Sequence, residues 1–425
     1  MPAVVMWMAI ELTILLTLTA ALGPAAEAAA YRPDLGWLSK AAPPLPPPEG
    51  AVVRVSTVSE LQAAVRTAGP GTTILITDGT YRLTETLVLD RDGLALRGES
   101  GQREKVVLLG NGFHGERAGP PHAIRIIGDH ITVADLTIRE FSLHGLDVKG
   151  ELGPQHLLVH HVGFIDIGQR SIKVSSAGAG HPNADHGVVE WSYFEQMQSI
   201  SPDRDDGFGG NYVGGIDAHG VKGWVIRDNI FVNIRGATGA GRACIFIWNN
   251  SIDTVVERNL VIGCDVGISI GNPSGPNQFA RDGEKVWHHT GGIVRNNFIV
   301  APAGKIGAEM DKVRGLMFVH NTVVNGDPGY WRTVWFQQPT QALVIKNNLV
   351  GGLITPFEGA QAEMAHNITR APREWFRDPE NGDLRLTEAA AAALGAAQEL
   401  EGVDDDFFGR PRTGAREIGA HQRSE

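Results

Sequence analysis

Apolar and polar positions recur in short blocks between about residues 120 and 352, and the blocks can be laid on one another. Five of them, Val225–Phe231, Val255–Val261, Ile293–Ile299, Met317–Val323 and Val344–Val350, place an asparagine at the same position: Asn229, Asn259, Asn297, Asn321 and Asn348. These asparagines are 30, 38, 24 and 27 residues apart. A period in the twenties with insertions fits one turn of a parallel β-solenoid, the insertions being loops. An inward asparagine in each turn would stack on the next and hydrogen-bond along the column. Leucine-rich repeats and propellers fit less well, because neither a Leu-x-x-Leu-x-Leu phase nor a four-stranded blade unit occurs.

A second strand per turn aligns in the same way through Ile124–Ile127, Leu146–Lys149, Ile172–Ser175, Ile216–His219, Ile245–Trp248, Ile268–Gly271, Ile306–Glu309 and Val334–Gln337. The first and third residues are apolar, as a strand with one buried face requires. The second and fourth then point outward. One outward column reads Arg125, Asp147, Lys173, Asp217, Phe246, Ser269, and its neighbour reads Ile127, Lys149, Ser175, His219, Trp248, Gly271, Glu309. With strands about 4.8 Å apart, Asp147, Lys149, Lys173, Asp217 and His219 share a patch about 10 Å across. A bland reading is a charge ladder that stabilises neighbouring strands by a few tenths of a kcal/mol per pair. The gathering of Lys, Asp and His beside aromatics favours a site. The longest insertions, 176–187, 196–214, 235–243 and 272–291, flank this face and could wall a cleft, bringing Tyr212, Arg235 and Arg242 to it.

The ends read differently. Residues 1–30 resemble an export signal, with an apolar run over 12–23 and Ala-x-Ala patterns after it, although no Lys or Arg precedes the run. The run is too short for a comfortable membrane span, and the mature chain is expected to have none and to be secreted or periplasmic. Residues 31–50 are a Pro-rich linker. Thr57 and Glu60 form a capping box that opens a short helix through about Arg66, suited to covering the first coil of a solenoid spanning 51–360. Residues 361–425 form a C-terminal cap and tail, with an Ala-rich helix expected from Glu388 to Leu400.

Composition supports an all-β chain: 53 of 425 residues are glycine and aromatics are 7%. A net charge of −11 disfavours a nucleic-acid partner while allowing an acidic substrate wherever basic residues gather locally. Two cysteines, Cys244 and Cys264, give no disulfide framework and read as buried thiols. A monomer is expected.

At Ile216-Asp217-Ala218-His219 the chain resembles the right-handed parallel β-helix superfamily of pectate-lyase-like proteins, which includes pectate and alginate lyases and mannuronan epimerases. The stretch Val58–Tyr81 is similar to the opening of alginate-lyase and chondroitinase-type members, and Phe408–His421 to a tail frequent on secreted β-helices, so the likeness spans roughly 50–421. The resemblance implies an all-β right-handed parallel β-helix acting on acidic polysaccharide. The epimerases carry Tyr-Gly-(Phe or Ile)-Asp-Pro-His, and Asp217 and His219 match its Asp and His. Ala218 replaces the proline and Gly214 the tyrosine, with Tyr212 two residues earlier.

A lyase acting on a uronic acid by β-elimination must neutralise the carboxylate, remove the adjacent proton and protonate the leaving oxygen. Lys173, helped by Lys149 or Arg235, would neutralise; His219 would be the base; Tyr212 would be the acid; Asp217 would hold the imidazole or polarise Lys173. Arg125, Asp147, Lys149, Arg235, Arg242, Phe246 and Trp248 would bind the substrate. No cofactor is required, although a calcium ion shared by Asp147 and Asp217 could replace or assist the cations. Alternatives are a polyuronate epimerase, an inverting hydrolase using Asp147 and Asp217, whose strands put them about 9.6 Å apart, and a glycan-binding or adhesin β-helix stacking sugars on Phe246, Trp248 and Trp335.

Overall fold

A computed structural model describes residues 31–274, 277 and 279–423. The export-signal expectation falls on residues 1–30, outside the described residues. From Val52 onward the chain winds into a parallel β-helix with three walls. The first wall has twelve strands, from Val52–Val55 to Glu363–Ala365, and the second has ten, from Gly79–Arg82 to Leu349–Val350. The third also has twelve. Ten of these, numbered in chain order, are β1 (Leu87–Leu89), β2 (His122–Ile126), β3 (His144–Val148), β4 (Arg170–Val174), β5 (Gly214–His219), β6 (Ala243–Trp248), β7 (Val266–Gly271), β8 (Ile306–Arg314), β9 (Val334–Gln341) and β10 (Ile354–Phe357).

Each coil lies in register on the next, so side chains of one kind stack. Phe164, Phe194 and Phe231 stack at 4.8 and 4.4 Å between ring centroids inside the second wall. The asparagine column is present: each side-chain amide donates to the next asparagine's Oδ1 at 2.9–3.2 Å, from Asn229 through Asn348, and Asn367 adds a last rung. The residue before each rung (Asp228, Arg258, Asn296, His320, Asn347, His366) has φ of 51–56°. This left-handed conformation is costly for a side-chain-bearing residue. It turns the coil through a sharp corner, and the buried amide of the following asparagine satisfies the backbone groups that the corner frees. Asn297 Nδ2, for example, also donates to the Val256 and Arg295 carbonyls.

The first coil is covered by helix α1 (Val58–Thr67), opened by the Thr57–Glu60 capping box and burying Leu61, Ala64 and Val65. Residues 31–50 are no free linker. Arg32 pairs with Glu195, the Trp37 ring lies 6.4 Å from Phe298 and from Phe407, Lys40 pairs with Asp228, and the Pro43 and Pro46 carbonyls accept from His160 and Arg97. At the other end the Ala-rich run forms only a short 3-10 turn, Glu388–Ala393. The tail then lies along the flank of the solenoid, where Asp405 meets Arg258 and Asn296. Cys244 and Cys264 are free and buried.

Two expectations about register divide. The column Arg125, Asp147, Lys173, Asp217, Phe246, Ser269 is hydrogen-bonded neighbour to neighbour. Glu309, however, pairs with Ser269, and Ile306 with Val266, so Glu309 belongs to this column and Asp311 takes its place beside Gly271. A slip of two residues keeps the same faces, which is why alternation alone does not reveal it.

Asn297→Ala removes a rung from the column and orphans buried groups on two coils. The expected loss is about 2–4 kcal/mol of unfolding free energy, measured by chemical denaturation, against no measurable change for Asp203→Ala in an exposed loop.

Candidate active site

The third wall bends at the start of its strands. A Cβ added at Gly145 would lie 2.8 Å from the Phe164 ring, and one at Gly215 2.8 Å from the Phe231 ring, so both positions face the interior. The next residues, Leu146 and Ile216, are fully buried too. Two successive inward positions break the alternation. His122, His144 and Arg170, which precede the equivalent positions Ala123, Gly145 and Ser171, line up on neighbouring strands, and Arg170 reaches the outer-face carboxylate of Asp217. Strict two-residue periodicity misses this row; the small residues at Gly145, Ser171 and Gly215 are the signal that could have revealed the bend.

Asp217 is the centre. Its Oδ2 accepts from Lys173 Nζ at 2.6 Å and Arg170 Nε at 3.1 Å, and its Oδ1 from Trp248 Nε1 at 3.1 Å, with His219 Nε2 at 3.0 Å. Lys173 Nζ is also 2.8 Å from His219 Nε2, and Asn249 Nδ2 is 3.1 Å from His219 Nδ1. Burial opposes ionisation of Asp217, yet Lys173, His219 and Arg170 outweigh it and hold its pKa well below the carboxylate range. Burial first, then the Lys173 charge, lowers the His219 pKa below 6.5 against the pull of Asp217, so the imidazole is neutral near pH 7. A charge ladder needs nothing so elaborate. Its simpler form stands two strands away, where Asp147 pairs with Arg125 at 2.8 Å and Lys149 at 3.6 Å.

Tyr212 is brought to the edge of this cluster. Asp206 accepts from the backbone N–H groups of Phe208, Gly210 and Tyr212, which folds the loop so that the Tyr212 ring packs 4.1 Å from the Arg170 guanidinium and 4.9 Å from Phe208. Asp206 therefore shapes the loop. Beside the cluster lies a cleft of about 310 Å³, lined among others by Arg242, Phe246, Ser269, Lys305, Glu309 and Arg332. Arg242 is exposed and has no carboxylate partner among the described residues. Arg281 pairs with Asp185 in the loop 176–187.

Some expectations need correction. Arg235 is not gathered with the cluster, since its Nε donates to the Gly263 carbonyl at the corner between walls. Trp248 serves as a hydrogen-bond donor to Asp217, and its ring is sandwiched by Phe246 and His288 at 5.3 and 5.7 Å. Trp335 is buried, with Arg332 over its face at 4.0 Å. A calcium ion between Asp147 and Asp217 would have to displace their Lys and Arg partners, and no group of three or more His, Cys, Asp or Glu side chains able to hold a metal occurs among the described residues.

One acid was not foreseen. Asp311 is fully buried and neither carboxyl oxygen has a hydrogen-bond partner among the described residues. Burial, and Glu309 two residues away, push its pKa up to about 8.

Two outcomes follow for stability. Asp217→Ala leaves Lys173 and Arg170 without their counter-charge and is expected to cost about 3–5 kcal/mol. Asp311 binds its proton more tightly folded than unfolded, so its contribution to stability is full below pH 3.8 and lost as pH rises to about 8. Asp311→Asn should therefore raise Tm at pH 8 by about 2 °C or more and by less at pH 5, in calorimetry.

No protein-family model matches the sequence, and no curated protein matches it. Solved structures are similar. The Agl-KA catalytic domain has a TM-score of 0.50 at 13% identity, over 78% of this chain and 68% of that one. The alginate lyase from Paenibacillus sp. str. FPU-7 has 0.48 at 15%, over 75% and 99%. The A-module of the Azotobacter vinelandii mannuronan C-5 epimerase AlgE6 has 0.45 at 15%, over 74% and 96%. At such identities the likeness is one of fold. Among the described residues no helix is long and apolar enough to cross a membrane. The chain is a parallel β-helix protein.

Proposed function

We propose that the Lys173–Asp217–His219 cluster is the catalytic centre of a lyase that cleaves a uronate-containing polysaccharide by β-elimination. The observation that carries this reading is an amine and a neutral imidazole 2.8 Å apart, both anchored on one buried carboxylate, one strand from a cleft lined by Arg242, Lys305 and Arg332 together with Asp265 and Glu309. Lys173 turns from His219 to the substrate carboxylate and neutralises it, which makes loss of the neighbouring carbon's proton easier. That movement leaves the neutral imidazole free to take the proton, and Asp217 stabilises the resulting imidazolium. The bond from the adjacent carbon to the glycosidic oxygen then breaks, a carbon–carbon double bond forms, and Tyr212 protonates the departing oxygen. Asp217 positions both partners without exchanging a proton. Arg125, Lys149 and Arg242 would hold neighbouring acidic units.

The adjacent placement of Asp217 and His219 on one strand also suits an epimerase, in which the proton returns from the opposite face and no bond to oxygen breaks. Hydrolysis fits less well, because Asp217 is held ionised and an inverting pair needs one protonated acid. An exported enzyme of this kind would meet its polymer outside the cell.

Incubation with alginate, pectate and chondroitin separates these outcomes. Ultraviolet absorbance from the new conjugated double bond is expected. Solvent deuterium in the sugar without absorbance would mean epimerisation, and reducing ends without absorbance would mean hydrolysis. Lys173→Ala and His219→Ala should each lower kcat by about 100-fold or more with the fold retained by circular dichroism, since Arg170 and Trp248 still satisfy Asp217. Full turnover in both variants would end the reading. Activity should fall with acid through a pKa below 6.5, as His219 gains its proton, and a chelator should leave it unchanged.

A further inference from the structure

The outward column that carries Lys173 and Asp217 continues past the cleft. After Asp217 come Phe246, Ser269, Glu309 and Trp335 on successive strands, four steps or about 19 Å along the axis. There the surface changes from charged to aromatic. Trp331 is 43% exposed and Phe357 is 37% exposed. Their ring centroids are 6.0 Å apart, and Trp335 lies beneath both at 6.0 and 5.6 Å. Large exposed rings gathered in one place on a protein surface mark a binding face. Here the face is continuous with the cleft, since Tyr330 and Arg332, on either side of Trp331 in the chain, both line it.

Arg332 connects the two surfaces. Its guanidinium lies 4.0 Å from the Trp335 ring centroid and 5.6 Å from that of Trp331, and its nearest carboxylate, Glu309, is 3.7 Å away. Its Nε is buried and makes no hydrogen bond. Lys305, paired with Asp265 at 3.3 Å, and Arg242, which has no carboxylate partner among the described residues, line the cleft with it. A neutral apolar partner would leave Arg242 unmatched, and a small anion would not need the rings.

We propose that Trp331 and Phe357 form a stacking platform for an acidic polysaccharide: the apolar face of a distant sugar unit packs on the rings while carboxylates of units nearer the cluster meet Arg332, Lys305 and Arg242. The proposal rests on the acidic-polysaccharide part of the reading above and not on the elimination chemistry. It makes the trench long enough to hold an extended chain, with the reacting unit at one end and the platform about 19 Å away. Stacking is indifferent to the bond being broken, so its contribution goes to binding of long chains and not to the chemical step.

The test is affinity electrophoresis of the full chain in native gels containing polygalacturonate, alginate or a neutral β-glucan, with the Lys173→Ala variant run alongside to remove turnover. At least one polyuronate is expected to retard the wild type and, with turnover removed, Lys173→Ala, and the neutral glucan much less. Trp331→Ala with Phe357→Ala should weaken that retardation by about tenfold, and Trp331→Tyr, which keeps a ring, should largely restore it. Where turnover is present, the double variant should raise KM for polymer by a similar factor and leave kcat, and KM for a disaccharide or trisaccharide, unchanged. Retardation of the double variant equal to wild type would overturn the platform, as would equal retardation by the neutral glucan or none by either polyuronate. A lyase assay without product would leave these readouts intact, so the two failures are told apart.

Discussion

Every coil of this protein sits directly on the next, and that stacking is the constraint from which the other features follow. Parallel strands about 4.8 Å apart bring each residue over its equivalent one turn later. A side chain that cannot tolerate its own kind as a neighbour must alternate with a partner, or leave the column. Phenylalanines tolerate it and form the inner stack. Asparagines gain from it, because an amide can donate to the rung on one side and accept from the rung on the other. The left-handed corners before each asparagine are locally unfavourable conformations, repeated in coil after coil and held by the same buried amides.

Charges are treated by the same rule with a different result. On the outer face of the third wall Arg125, Asp147, Lys173 and Asp217 alternate in sign, so each has an opposite charge on the strand beside it. Near Asp147 the arrangement is ordinary and partly open to water. Around Asp217 it is taken inside: Tyr212 covers Arg170, Trp248 closes one side, and three donors and the His219 imidazole converge on one carboxylate. Losing one partner from such a centre costs far more than an exposed pair contributes. The same enclosure holds His219 neutral and next to a lysine, which is the state a proton acceptor needs.

The solenoid also supplies length. A globular enzyme has to close a pocket around its ligand, whereas a stack of coils offers a straight face on which different chemistries occupy successive strands. Along this face acidic and basic groups give way to a cleft of mixed charge and then to exposed rings. An Arg281–Asp185 ion pair joins two of the insertions that follow strands of the third wall. The N-terminal segment and the C-terminal tail lie on the opposite side of the division, binding the flank formed by the first two walls through Trp37, Phe407 and Asp405.

What the amino-acid sequence determined by itself was everything that repeats. The asparagine column, the inward apolar pairs and the outward row from Arg125 to Ser269 are legible because neighbours in space recur at a nearly regular interval in the chain. The cap helix was legible too, since a capping box is a local interaction between Thr57 and Glu60. Tertiary structure alone decided what departs from the repeat. Two successive buried residues, Ser171 and Ile172, follow Arg170, whose side chain meets Asp217, and period-two reasoning could not see this. The two-residue slip of Glu309 kept its face and changed only its neighbour. Whether Arg235 would reach the cluster, whether Trp335 would be exposed and where Tyr212 would lie all depended on how loops fold back over the wall. Those are contacts between parts of the chain with no common period, and no local pattern encodes them.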